Sequence, residues 1–349
     1  MKFNYLNIDV GNALKDCKNI AIIKFAYIGD SVWMLPFIKN LKKNLPHTKL
    51  TVIVNAGTEA FFTLSPYIDN IITFDRKTIK GLRSNLKFIK SIRDIKADAV
   101  FELTDTDRPT ILSYLSGAKY IIGYNNENRW RNRLYTHISS SLKFQSHFVQ
   151  YHLNLLQELG FEIFDTSLDV KLNPDCYITL KEKIPQLFDI NNKKPIIIHP
   201  GSRNILRQWG TERFAKLCDL LYGSSTVILT AGPNETHLLT EIASSITTPQ
   251  PIIAGSLTLH EFAALCKSSD LFIGNDSGPI HIAAAQNINV AGIYGPTMPQ
   301  HVGPWTNKKI IIENNEMTCR PCYYERCKID DYKKCLYSIT PQEVYDKIL

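Results

Sequence analysis

Residues 271–305, LFIGNDSGPIHIAAAQNINVAGIYGPTMPQHVGPW, decide the fold. Leu271, Phe272 and Ile273 form a short apolar run that stops at Gly274-Asn275-Asp276-Ser277-Gly278-Pro279, so the run reads as a strand opening into a turn of glycine and short polar side chains. Pro279 suits a first helical turn, where no amide donor is missed, and Ile280, Ala283 and Ala284 recur at helical spacing. A second strand, Val290 to Tyr294, ends at Gly295-Pro296. Strand, polar turn, helix, strand is a βαβ unit, which puts amides and polar side chains at the carboxyl ends of parallel strands. A helix N-terminus placed there favours a phosphate or another anion. Asp276 then suits sugar hydroxyls, while Ser277 and the amide of Gly278 face the anion; helix capping explains Asp276 and Ser277 equally well. His281, in the first turn, reads more simply as a structural group than as a catalytic one.

The same unit repeats along the chain. Ile20 to Phe25 is an apolar strand, followed by the turn Ala26 to Ser31 and a helix carrying Val32, Leu35, Ile38 and Leu41. One glycine, Gly29, is too few for a dinucleotide fingerprint. Further strands are expected at Leu50–Asn55, Asn70–Asp75, Ala97–Leu103 and Tyr120–Tyr124, and a helix over 146–159 ended by Gly160. Residues 175–194 turn polar, with Pro185 and the run DINNKK at whose end the linker is placed. A second α/β series then opens at Pro195-Ile-Ile-Ile-His199, with strands at Thr226–Thr230, Pro251–Ala254, Leu271–Ile273, Val290–Tyr294 and Lys309–Ile312. The expected layout is a Rossmann-like domain over 1–175, a linker over 176–194, a second such domain over 195–335 and a terminal helix over 336–349. Thr258 with Glu261, and Thr340 with Glu343, have capping-box spacing. The first nineteen residues precede any clear strand and carry no functional reading.

Lys+Arg of 40 against Asp+Glu of 33 gives a net charge of +7, which suits an anionic substrate or surface, and no nucleic-acid-binding signature accompanies it. No apolar run is long enough to span a membrane and no signal-peptide layout opens the chain, so a cytoplasmic location is expected. Arg76, Lys77, Lys80, Arg83, Lys87, Lys90, Arg93 and Lys96 share one segment with Ile79, Leu82, Leu86, Ile89 and Ile92 at helical spacing. This is an amphipathic helix with a basic face, either simply solvated or set against anionic lipid at the inner membrane surface. Thr104-Asp105-Thr106-Asp107-Arg108 follows a strand end and reads as a turn, with Asp107 and Arg108 as candidate acceptor contacts. Arg129, Arg131 and Arg133 lie in NNENRWRNR, an irregular and mobile loop on this reading, whose guanidinium groups suit phosphate or carboxylate, with Arg129 and Arg133, like Gly29, as candidate acceptor contacts; a solvated loop explains the stretch almost as well.

His199-Pro200-Gly201-Ser202-Arg203 follows the first strand of the second series, with Arg207-Gln208-Trp209 just after. A turn with Gly201 and Ser202 suits a diphosphate, and Arg207 can neutralise charge growing on a departing nucleotide. DSGPIHIAAA with VAGIYGPTMPQHVGPW, and HPGS followed by R-x-W, resemble the donor motifs of the heptosyltransferases, the lipopolysaccharide glycosyltransferases of family nine. Thr230-Ala-Gly232-Pro-Asn-Glu235 resembles that family's nucleoside loop, and Asp30 matches its proposed general base, beside Gly29. On mechanics alone Asp30 is a helix cap. Arg207 stands where relatives usually have lysine, and Ala26-Tyr27 replaces their small polar residues.

The resemblance implies a GT-B fold, two facing Rossmann-like domains with a central cleft, and transfer of heptose from ADP-heptose to an anionic glycolipid, the lipopolysaccharide inner core. It needs no catalytic cofactor. Another nucleotide sugar or acceptor within the family, a nucleotide-sugar epimerase and a silent nucleotide-binding scaffold are the alternatives. Of eight cysteines, Cys17, Cys176, Cys218 and Cys266 read as small buried hydrophobes. Cys319, Cys322, Cys327 and Cys335 have the spacing of a small knuckle for structural zinc or iron, with free thiols as the alternative.

Overall fold

Strands that are apolar along their whole length are stable in a sheet covered on both faces, and this chain builds two such sheets. The computed structural model describes residues 9–125, 127–188, 195–322 and 326–349. It divides into two compact units, Met1–Lys171 and Leu172–Leu349.

In the first unit, β1 (Asn19–Lys24), β2 (Lys49–Asn55), β3 (Asn70–Phe74), β4 (Ala99–Glu102), β5 (Tyr120–Gly123) and β6 (His137–Ile138) form a sheet in the order β3-β2-β1-β4-β5-β6. All pairings are parallel, with Ile22 registered on Val52 on one side and on Phe101 on the other. The two-residue strand β6 was not anticipated; it is too short to leave an alternating pattern. The expected single helix after β1 is two, Ile28–Val32 and Leu35–Asn44. Pro36 has no amide to continue the ladder back to Val32, so the chain breaks between them. Within residues 9–18, a short helix, Val10–Leu14, is capped by Asp9 and packs so closely that a side chain on Gly11 would strike the carbonyl of Leu159.

In the second unit, β7 (Ile196–His199), β8 (Val227–Thr230), β9 (Ile252–Ala254), β10 (Leu271–Asn275), β11 (Asn289–Tyr294) and β12 (Lys309–Glu313) take the order β12-β11-β10-β7-β8-β9, again all parallel. Its core gathers Ile198, Trp209, Phe214, Leu229, Ile273 and Ile293. The chain end is two short helices, Lys334–Tyr337 and Pro341–Ile348, whose Leu336 and Val344 join that core while the Ile339 carbonyl between them accepts Trp209 Nε1–H at 2.9 Å. Thr258 and Glu261 form the full capping box, and Thr340 accepts the Glu343 amide.

The linker reading needs correction. Asp175–Lys183 is a helix, and its Lys183 pairs with Glu261 of the Leu259–Lys267 helix at 2.7 Å, so it belongs to the second unit. Residues 160–171 instead stay on the first unit, where Asn40 and Lys39 bind Asp165 and the Lys171 amide donates to Leu64. Polar composition misled because this helix buries only Cys176 and Leu180. Residues 189–194 of the expected linker lie outside the described residues.

Each strand order reverses once, between β1 and β4 and between β7 and β10. Such reversals open a crevice at the strands' carboxyl ends, where open α/β sheets bind ligands.

Candidate active site

At the reversal in the second unit, two turns are tied into one frame. Asn275, fully buried at the end of β10, accepts the Trp209 amide at 3.0 Å and donates to the Pro200 carbonyl at 2.6 Å. The turn after β7 is thereby fixed against the turn after β10. Gln208 adds a bond to the Ser202 carbonyl at 2.7 Å, and Ser202 Oγ donates weakly to the Asp276 carbonyl at 3.4 Å.

Asp276 is only 2% exposed; its carboxylate pairs with Arg207 Nη1 at 3.0 Å and accepts the Thr297 hydroxyl at 2.7 Å. Thr297 comes from the turn after β11 and is pinned in turn by Arg320, which donates to its carbonyl at 2.8 Å and pairs with Glu313. Asp276, one residue before the N-cap position, is not the capping residue. Ser277 stands at the N-cap of the Gly278–Ala285 helix, yet its hydroxyl makes no cap bond and is buried without a hydrogen-bond partner among the described residues. Arg207 Nε and the hydroxyl of Tyr294 are in the same condition. Buried polar atoms are nearly always satisfied, so three orphans around one ion pair at a helix N-terminus mark a place built for a polar ligand. His281 is buried on the first turn of that helix.

On the other side of β7, His199 Nδ1 lies 3.0 Å from Thr230 Oγ, and burial lowers its pKa to about 4. Glu235 lies over the turn: its Oε2 is 3.9 Å from His199 Nε2, and a Cβ on Gly201 would fall 2.2 Å from the same oxygen. Gly232 flanks that carboxylate from the β8 turn, where a Cβ would come within 3.0 Å. Gly201, Ser202, Arg207, Thr230, Gly232, Glu235, Asp276, Ser277 and Gly278 thus gather at adjoining strand ends, while Arg203 is exposed beside them. Thr230 holds His199 from a buried position. Asn275, Tyr294, Thr297 and Arg320 escaped sequence reading; a polar residue ending an apolar strand was the available signal for Asn275.

At the reversal in the first unit, Asp30 is half-buried after β1 and accepts the Tyr27 amide at 3.2 Å through one oxygen. Lys24, at the end of β1, is buried and donates to the Leu103 carbonyl at 2.7 Å; burial lowers its pKa, while Asp30 and Glu102 favour its charge. Glu102 is fully buried, accepting the Thr104 amide and the Tyr135 hydroxyl at 2.7 Å each, and burial raises its pKa.

Of the acceptor contacts expected at 107–133, Asp107 is tied to a buried arginine, while Arg108, Arg129 and Arg133 are exposed. Arg131, 1% exposed, bridges Asp105 at 2.7 Å and Asp107 at 2.9 Å. Asp105 has a φ of +59° and also pairs with Lys143 at 3.0 Å; although burial opposes it, Lys143 and Arg131 keep its pKa low. Residues 130–134 are therefore a 3-10 turn latched from inside by Arg131, where an irregular loop was expected. Arg108 stacks 5.2 Å over Phe74, Arg129 pairs with Glu127 at 2.5 Å on the surface, and Arg133 is exposed. Asn126 lies outside the described residues.

The model of glycosyltransferase family 9 (heptosyltransferase) matches residues 85–333. The chain belongs to that family. It is 29% identical over 330 residues to lipopolysaccharide heptosyltransferase 3 of Escherichia coli K12, covering 91% of this chain and 93% of the relative. Among solved structures it resembles a family 9 glycosyltransferase from Veillonella parvula, with a TM-score of 0.81, 23% identity and 95% of each chain covered. It also resembles E. coli heptosyltransferase WaaC with ADP, with a TM-score of 0.72, 17% identity, and 95% and 98% coverage. The fold is GT-B, one Rossmann-like domain per sheet.

In this family 9 chain the cysteine quartet is not drawn into a ligand set among the described residues. Cys335 is buried beside Leu336 in the core, where burial raises its thiol pKa, while Cys319 is exposed and Cys327 accepts the Lys333 amide at 3.4 Å. Among the described residues, no three His, Cys, Asp or Glu side chains gather as metal ligands. Residues 323–325 lie outside them. Among the described residues no helix is long and apolar enough to cross a membrane.

Proposed function

We propose that this glycosyltransferase moves heptose from ADP-heptose to the inner core of lipopolysaccharide with inversion at the anomeric carbon. The acceptor is an anionic glycolipid, met at the cytoplasmic face of the inner membrane. The observation that carries the reading is the uncapped N-terminus of the Gly278–Ala285 helix, with the unpartnered Ser277 hydroxyl beside the Arg207–Asp276 pair. That arrangement suits a pyrophosphate: amides and hydroxyl donate to it, and Arg207 balances its charge. Glu235, across the Gly201 turn, suits the hydroxyls of a nucleoside sugar.

In the reaction, an acceptor hydroxyl attacks the anomeric carbon and gives its proton to Asp30. The bond from that carbon to the pyrophosphate oxygen breaks, and ADP leaves with the electron pair. Arg207, Ser277 and the Gly278 amide stabilise the charge that grows on the leaving oxygen, and these groups are fixed before the reaction begins.

The test is incubation of the purified chain with ADP- and UDP-activated sugars, with and without lipopolysaccharide acceptor, scored by mass spectrometry. Acceptor-dependent transfer from ADP-heptose is expected. Epimerised donor without acceptor, or binding without turnover, would overturn the reading.

A further inference from the structure

The Gly81–Asp94 helix buries only part of the apolar set that its sequence carries. Phe88 and Ile92 enter the core with Phe74 and Val100, but Leu82 and Leu86 stand in solvent, 76% and 55% exposed. At about 100° per residue, Leu82, Leu86, Lys90 and Arg93 fall on one outward stripe, with Arg83 and Lys87 along its edge. All four cations are exposed, as are Arg76, Lys77, Lys80 and Lys96 around the helix.

The neighbouring Asp107–Leu115 helix packs beside it on the same sheet face, through Leu112 in the shared core. That helix also leaves a stripe uncovered: Ile111, Tyr114 and Leu115 are exposed at 39%, 54% and 37%. Two adjacent helices thus present apolar side chains within a strongly basic surround. Water favours the cations there but not the leucines.

We propose that this face docks the chain on an anionic phospholipid surface, with Leu82 and Leu86 entering the headgroup boundary and the surrounding lysines and arginines meeting lipid phosphates. The inference deepens the membrane-surface part of the proposed function and rests on it only for the identity of the membrane. Charge complementarity selects the occupant. A second copy would set one cationic helix against its equal, since a two-fold interface repeats the same patch on both sides. Nucleic acid would match the cations but leave the leucines wet.

The experiment is co-sedimentation of the full chain with vesicles of phosphatidylcholine alone and of phosphatidylcholine mixed with phosphatidylglycerol. Binding is expected to the mixed vesicles and to weaken with salt. Lys87→Gln/Lys90→Gln/Arg93→Gln should weaken it on the order of a hundredfold, at about fivefold per cation. Leu82→Ser/Leu86→Ser should cost about tenfold per leucine and leave the salt dependence in place. Because every substituted side chain is exposed, thermal melting should not move. Equal binding to both vesicle types, or either variant binding like the parent, would overturn the proposal. So would a dimer in analytical ultracentrifugation that the leucine variant dissolves. None of these outcomes depends on sugar transfer, so the docking face and the reaction can fail separately.

Discussion

Gly201 has no room for a methyl group, because its Cβ would fall 2.2 Å from the Glu235 carboxylate. Gly201→Ala should therefore displace Glu235 and weaken ADP binding roughly tenfold, the scale of one lost hydrogen bond plus a strained rotamer. Calorimetry on Gly201→Ala, Glu235→Ala and the double variant checks the cause: the double should bind no worse than Glu235→Ala alone. His199, in contact with the same cluster, allows a second test. Burial lowers its pKa from 6.5 to about 4 in the folded chain. Between those values the unfolded chain binds more protons, so stability rises with pH through the window and is lost as pH falls below 6.5. The loss at pH 5 is about 2 kcal/mol. His199→Asn, which can keep the bond to Thr230, should melt closer to the parent at pH 5 than at pH 7. Both residues were visible in the sequence as HPGS, since the motif is linear. Their partner Asn275 was visible only as the end of a strand, because its two bonds reach back 66 and 75 positions.

At the scale of elements, the turn at 130–134 shows where linear reading fails. Three arginines in nine residues look alike in the sequence, yet one is buried between two aspartates and two face water. Which arginine turns inward depends on Asp105 and Asp107, more than twenty residues earlier, and no periodicity encodes that pairing. Leu82 and Leu86 differ from their periodic set in the opposite way: Ile92 of that set enters the core and Ile79 and Ile89 pack against it, with Phe88 beside them, while the two leucines face water. The βαβ units were legible because their strands are apolar throughout and their turns polar, a local contrast. Arg131→Met should destabilise the first lobe by about 3 kcal/mol, since it leaves Asp105 buried with Lys143 as its remaining ion-pair partner among the described residues. Adding Asp105→Asn, which tolerates the positive φ, should recover part of that loss. Denaturant titration of the first lobe's transition measures both, and an unchanged midpoint for Arg131→Met would show the latch to be dispensable. ADP affinity should be unaffected, because the latch lies wholly in the other lobe.

Over the whole molecule, the two lobes repeat one plan, six parallel strands with a single reversal, and give it different chemistry. The second lobe's reversal holds orphaned donors and an arginine, suited to an anion. The first lobe's reversal holds carboxylates over a buried lysine, suited to taking a proton. Division of labour between lobes makes a prediction that neither lobe could make alone. Asp30→Asn keeps the side chain's shape and its capping oxygen for the Tyr27 amide but removes the base. Transfer should fall by roughly 10²- to 10⁴-fold, the usual range for a lost general base. ADP affinity should stay within about twofold, below the scale of one lost hydrogen bond, because no group assigned to ADP lies in that lobe. Single-turnover kinetics with ADP-heptose, run beside ADP calorimetry, separates the two effects. Full transfer by Asp30→Asn would remove Asp30 as the base. A parallel loss of ADP binding would place Asp30 with the donor, and the division between the lobes would then be wrong.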